Sequence, residues 1–84
     1  MDWSVYIIHC SDNSLYTGIS TNVDKRFQQH LNCKGAKYFR GRQPLQVVYI
    51  EPGHDRSSAS SREAAIKKLT SRQKQDLIVR CAAY

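Results

Sequence analysis

Acidic side chains are scarce in this chain: seven Asp and Glu stand against thirteen Lys and Arg over 84 residues, a formal net charge of +6. The deficit is sharpest over residues 25–42, where Lys25, Arg26, Lys34, Lys37, Arg40 and Arg42 occur without one acid. A face of that sign suits a polyanion, nucleic acid above all. Cysteine is also sparse. Cys10, Cys33 and Cys81 are odd in number, far apart and without a C-x-x-C pair, which excludes a disulfide framework or a structural zinc site and leaves three reduced thiols. His9 beside Cys10 adds no metal pair, because neighbouring strand residues point to opposite faces. No apolar run is long enough to cross a bilayer, and the N-terminus carries no basic leader before an apolar segment and cleavage site. A cytoplasmic protein without a membrane partner is expected. Repeats, low-complexity segments and linkers are missing too, so residues 1–84 are expected to form one domain; a chain this short buries only roughly 60–65% of its unfolded surface.

What is present organises readily. Residues 3–10, with Trp3, Val5, Tyr6, Ile7 and Ile8, have strand composition, Ser11 to Ser14 form a turn cluster, and Leu15 to Ile19 reads as the second strand of an antiparallel hairpin. Thr21 or Asn22 can cap a helix to about Cys33 with Val23, Phe27 and Leu31 as its buried stripe, ended by Lys34-Gly35. A third strand is expected over Leu45–Glu51, broken by Pro52-Gly53. Beyond it, Ser60 with Glu63 has capping-box spacing, although Asp55 or Ser57 can open the helix earlier; Ala59, Ala65, Ile66 and Leu69 give its apolar side. Thr70 with Gln73 opens a last helix carrying Leu77, Ile78 and Cys81. The order β-β-α-β-α-α predicts an α+β domain, a three-stranded antiparallel sheet flanked by helices.

Five polar side chains stand out. Tyr6 and Tyr16 share a sheet face only if paired residue numbers have an even sum, which demands an odd-length loop such as three residues with Asn13 left-handed. Gly18 would allow close approach of backbone or ligand. Arg26 and His30, four apart on the first helix, lie on one face: an arginine there can hold a phosphate, and a histidine can move a proton near neutral pH. Glu63 is the only acid between Asp55 and Asp76, flanked by Arg62, Lys67 and Lys68, and suits a divalent cation bound mainly through water and phosphate. Singly, each has an ordinary reading: half-buried strand tyrosines, a solvated arginine, a packing histidine, a capping-box glutamate. The joint pattern and its order favour chemistry.

That order resembles the GIY-YIG nuclease superfamily, and most of all its small stand-alone members. The motifs are Trp3-x-Val5-Tyr6-Ile7, Tyr16-Thr17-Gly18-Ile19-Ser20, Val23-x-x-Arg26-x-x-x-His30, Gly35-Ala36-Lys37-Tyr38 and Glu63-x-x-Ile66-Lys67-Lys68-Leu69. The resemblance implies a metal-dependent endonuclease acting on phosphodiester bonds in DNA, with a pathway in repair or recombination. Tyr6 would deprotonate or hold the attacking water, Tyr16 would bond water or phosphate, Arg26 would stabilise charge on the phosphoryl oxygens, His30 would transfer protons, and Glu63 would ligate one Mg2+ or Mn2+. Lys37, Tyr38, Arg40, Arg42 and Lys67 are the expected nucleic-acid contacts, with Lys67 or Tyr38 on the phosphate.

Chemistry adds a condition: a phenol with a pKa of about 10 is a poor base, so Arg26 and the metal must lower that of Tyr6, or His30 must be the base. Many superfamily enzymes have an asparagine C-terminal to the glutamate; here none follows Asn32, and Gln73 or Thr70 is the available substitute. With no DNA-binding extension expected, specificity should be low, resting on phosphate contacts and shape or on a protein partner. The competing expectation is a non-catalytic nucleic-acid-binding protein that keeps the fold.

Overall fold

The central strand of the sheet explains the most apolar stretch of the sequence. In the computed structural model, which describes residues 2–32 and 41–80, the elements are β1 (Trp3–Cys10), β2 (Leu15–Ser20), α1 (Val23–Leu31), β3 (Pro44–His54), α2 (Arg56–Lys67) and α3 (Ser71–Arg80). β1 lies between β2 and β3 and is antiparallel to both. Covered on both faces, it buries Val5, Tyr6, Ile7 and Ile8 in succession. Val5 and Ile7 pack with Tyr49, Ala59 and Ile66 beneath α2 and α3. Tyr6, Ile8 and Cys10 form the opposite core with Val23 and Phe27 of α1. The fold is thus α+β with the order β-β-α-β-α-α.

The hairpin meets its geometric condition. The Asn13 N–H donates to the Cys10 carbonyl at 2.9 Å, the Cys10 N–H to the Ser14 carbonyl at 3.0 Å, and Asn13 has φ 67°. This is a three-residue loop closed by a left-handed residue. Tyr6 therefore faces Gly18 and Ile8 faces Tyr16, which turns both tyrosines to the α1 side.

Four local expectations change or sharpen. On α1, Asn22 rather than Thr21 is the cap, its side chain accepting the Lys25 N–H at 3.0 Å, and the stripe takes His30 instead of Leu31. His30 is 1% exposed and Leu31 45%. At about 100° per residue, position 30 returns to within about 20° of Val23 while position 31 lies about 80° past it. β3 does not stop at Pro52-Gly53; it runs on to His54, opposite Trp3. Being an edge strand, it tolerates the missing proline N–H, and a bulge near Gly53 (φ 83°) takes up the register shift between Trp3 and Val5.

α2 starts early. Asp55 accepts the Ser58 N–H at 2.7 Å while Ser58 Oγ accepts the Asp55 N–H at 3.1 Å, a reciprocal cap. Ala59 and Ile66 carry the helix into the core, whereas Ala65 is exposed. At α3, the Thr70 N–H donates to Gln73 Oε1 at 2.9 Å and the Gln73 N–H to Thr70 Oγ1 at 3.2 Å, the expected second capping box. The proposed helix end at Lys34-Gly35 and the position of Cys81 lie outside the described residues.

Candidate active site

Tyr6, Tyr16 and His30 meet between the sheet and α1. The Tyr6 hydroxyl and His30 Nε2 are hydrogen-bonded at 3.1 Å. The Tyr16 and His30 rings approach edge to face with centroids 5.3 Å apart, and the two tyrosine rings are tilted at 6.3 Å. Such arrangements are favourable for aromatic rings beyond the area they bury. Gly18 is the floor of this cluster. A Cβ there would lie 2.6 Å from the Tyr6 hydroxyl oxygen, 2.7 Å from its Cζ and 3.1 Å from Tyr16 Cε2. What approaches the glycine closely is Tyr6 itself.

Two charges flank the cluster. Arg26, half-buried one turn before His30, donates from Nη1 to Gln29 Oε1 at 2.9 Å. Its charge favours the ionised form of both phenols and disfavours that of the imidazole. Glu63 acts on Tyr6 and Tyr16 in the opposite sense. The five side chains singled out from the sequence therefore belong to one electrostatic environment, although they come from two strands and two helices.

Burial decides the protonation states. Desolvation, then the neighbouring Tyr16, push the Tyr6 phenol well above its ordinary range, outweighing Arg26. Tyr16 is raised mainly by burial. His30 is pulled down to about 4 by burial first and Arg26 second. At neutral pH the site thus holds two un-ionised phenols and a neutral imidazole. Arg26 lowers the Tyr6 pKa but does not by itself outweigh burial, so the phenol would need the metal as well, or His30 as the base.

Glu63 occupies the third turn of α2, far from the cap, so the capping-box reading of its carboxylate falls away. The stripe of Ala59 and Ile66 divides its neighbours: position 62 lies to one side and position 63 to the other. Arg62 turns toward β3 and meets Glu51, its Nε 3.2 Å from both carboxylate oxygens. Glu63 turns the other way, and among the described residues its only polar partner is Lys67, 3.4 Å away. No group of three or more His, Cys, Asp or Glu able to hold a metal exists among the described residues. One partly exposed carboxylate is a donor set that fits a hard cation keeping most of its water, as magnesium does, and fits zinc or a calcium cage poorly.

Of the expected nucleic-acid contacts, Lys37, Tyr38 and Arg40 lie outside the described residues. Arg42 is drawn to the hairpin loop, with Nε 3.3 Å from the Asp12 carboxylate and Nη1 donating to Ser14 Oγ at 3.3 Å. Lys67 projects beside Glu63. Gln73 and Thr70, the substitutes considered for the family asparagine, bond to each other at the start of α3. Gln29 was not singled out from the sequence, yet its position three residues after Arg26 is the spacing at which helical side chains meet.

The family model for the GIY-YIG catalytic domain matches residues 2–76, and the chain belongs to that nuclease superfamily. Its relatives are small proteins of the UPF0213 group. The UPF0213 protein DP2720 of Desulfotalea psychrophila is 49% identical over 77 residues, covering 90% of this chain and 70% of that protein. The UPF0213 protein YhbQ of Escherichia coli is 46% identical over 82 residues, with 98% and 82% covered. Two solution NMR structures resemble the fold. That of the UPF0213 protein BH0048 from Bacillus halodurans has a TM-score of 0.60 at 40% identity, covering 94% of this chain and 84% of the other. That of EF2693 from E. faecalis has a TM-score of 0.67 at 34% identity, covering 100% and 90%. No described helix is long and apolar enough to cross a membrane.

Proposed function

We propose that the chain is a metal-dependent endonuclease that hydrolyses phosphodiester bonds in DNA with low intrinsic sequence specificity, its 84 residues acting as one catalytic domain. The observation that carries this reading is the gathering of Tyr6, Tyr16 and His30 around one hydrogen bond, inside the fields of Arg26 and Glu63. A protein that only bound nucleic acid would have no use for a carboxylate repelling phosphate at the margin of a basic face.

With both phenols un-ionised and the neutral imidazole carrying its proton on Nδ1, the Tyr6 O–H donates to His30 Nε2. The attacking water gives its proton to the Tyr6 oxygen as the Tyr6 proton passes to His30, so the two residues act as one base. Burial is the larger cause that holds His30 down; phosphate binding to Arg26 would offset the smaller one, its charge, making the imidazole a somewhat better acceptor when substrate is present. Tyr16 bonds the water or a phosphoryl oxygen from the same face. Arg26, steadied by Gln29, takes the charge that accumulates on those oxygens as the bond from water to phosphorus forms and the bond to the leaving oxygen breaks. A divalent ion, Mg2+ or Mn2+, held by Glu63 would stabilise the leaving oxygen. Backbone phosphates would be gripped by Lys37, Tyr38, Arg40, Arg42 and Lys67, contacts that carry no sequence information. Target choice is left to DNA shape or to a protein partner.

The test is cleavage of supercoiled plasmid and of branched and single-stranded oligonucleotides in Mg2+ or Mn2+, with and without chelator, by the wild type, Glu63→Gln and Arg26→Ala. Chelator-sensitive cleavage by the wild type alone is expected. Equal cleavage by all three would reveal a contaminant, and salt-sensitive binding without cleavage would establish a binding protein instead.

A further inference from the structure

Of the basic residues that flank Glu63 on α2, Arg62 and Lys67 take opposite sides. Arg62 is committed to Glu51 on the far side of α2. Lys67, four residues on, sets its ammonium 3.4 Å from Glu63 Oε2, with the lysine side chain 53% exposed and the glutamate 24%. Glu before Lys at this spacing is the favoured order on a helix. Lys67 lies in the last turn of α2 with its side chain about half exposed, so its head can swing several ångströms at little cost.

We propose that Lys67 is a resident counter-cation that competes with the divalent ion for Glu63 and transfers to a substrate phosphate when the ion binds, so that ion and substrate load cooperatively. This rests on reading Glu63 as the metal ligand. A divalent ion seeking Oε2 must displace the ammonium, which weakens binding of the ion alone. A phosphate brought beside the site gives that ammonium a new anion and lowers the cost of displacing it. Because coupling between two ligands is reciprocal, the ion strengthens phosphate binding by the same factor. The pair thereby disfavours metal loading without substrate, and an enzyme of low sequence specificity gains some control over when its site is complete.

Mn2+ affinity, read from the electron paramagnetic resonance of the free ion, tests this without turnover. Wild type, Lys67→Met, Lys68→Met and Glu63→Gln are titrated alone and with a short phosphorothioate DNA duplex. Lys68 follows α2 as its C-cap and controls for loss of one positive charge. Lys67→Met alone should bind Mn2+ about two- to threefold more tightly than wild type, the scale of one exposed helical ion pair, and more tightly than Lys68→Met. Adding the duplex should then raise Mn2+ affinity more in wild type than in Lys67→Met. Equal affinities for the two lysine variants, or an equal gain from the duplex in wild type and Lys67→Met, would overturn the proposal while leaving the nuclease reading intact. Unchanged Mn2+ binding by Glu63→Gln would remove the metal assignment itself, and the proposal with it.

Discussion

Glu51 on β3 meets one side of α2 through Arg62, Glu63 projects from the other side of that helix, and their surroundings are opposites. Glu51, on β3, accepts the Tyr49 hydroxyl at 2.6 Å, bonds His54 Nε2 at 2.6 Å and takes Arg62 Nε at 3.2 Å. Burial tends to raise its pKa, but the bonds from Tyr49 and His54 and the charge and bonds of Arg62 outweigh this and hold it below the usual carboxylate range. Glu63 has one described partner, an exposed lysine. A carboxylate saturated by fixed donors stabilises the fold and has little capacity left for a ligand. One held by a mobile ammonium costs the fold little and keeps a lone pair for something else. Counting donors around each acid thus separates a structural carboxylate from a candidate ligand within one small protein.

The largest effect that would break this contrast is on turnover. Glu63→Gln keeps the shape and removes the charge, so cleavage should fall by about a thousandfold, the scale of losing metal-assisted stabilisation, while the melting temperature stays close to that of the wild type. A stability loss as large as that of a Glu51 variant would mean that Glu63 is structural after all.

Gly18→Ala sharpens the geometric side of the comparison. The added methyl meets Tyr6 at 2.6 Å, a contact that must displace the ring or the strand. Overpacking of this kind costs about 1–3 kcal/mol, and shifting Tyr6 by even a fraction of an ångström to 1 Å should lower the cleavage rate about a hundredfold. Single-turnover kinetics beside a thermal melt would check both. Full activity in a folded Gly18→Ala protein would remove Tyr6 from the reaction.

These two residues mark where sequence reading succeeds and where it stops. Parity set a condition on the hairpin register, because a one-residue slip would turn Tyr16 to the other face; the three-residue loop with left-handed Asn13 meets it. The meeting of Tyr6, Tyr16 and His30, with Arg26 and Glu63 acting on both phenols, was legible only as an ordered motif. Their protonation states were not legible, because desolvation depends on depth: the sequence brought Arg26 near Tyr6, while the fold buried the phenol so far that burial outweighed the arginine. Likewise, His30 and Leu31 compete for one helical stripe, and only the crossing of α1 over the sheet decides between them. The Glu51 cluster was hidden because the strand was expected to end before His54, whose pairing with Trp3 depends on a bulge.

Glu51→Gln is the complementary probe. Its amide keeps one acceptor but loses the charge facing Arg62 and His54. We expect a loss of about 1–2 kcal/mol, or roughly 5–15 °C in melting temperature for a chain this short, with turnover per folded molecule unchanged. A large fall in turnover at constant stability would erase the distinction between the two acids.

The smallest effect separates the two clusters by pH. His30 has a folded pKa of about 4 against the ordinary 6.5, so the unfolded chain takes up a proton that the folded site resists. Stability from this histidine is complete above about pH 6.5 and is lost as pH falls toward 4. Between pH 7 and 5.5 that amounts to about 1 kcal/mol, bounded by about 1.4 kcal/mol per pH unit for one proton. Glu51 is depressed below 4.5, so its carboxylate stays ionised over this interval and its own loss begins at lower pH. Melts of the wild type, His30→Gln and Glu51→Gln at pH 7 and 5.5 should show the wild type and Glu51→Gln losing similar stability, with His30→Gln losing less. If the His30 variant falls as steeply as the wild type, burial of His30 does not set this pH dependence, and the dividing line between a reactive cluster and a satisfied structural one must be redrawn.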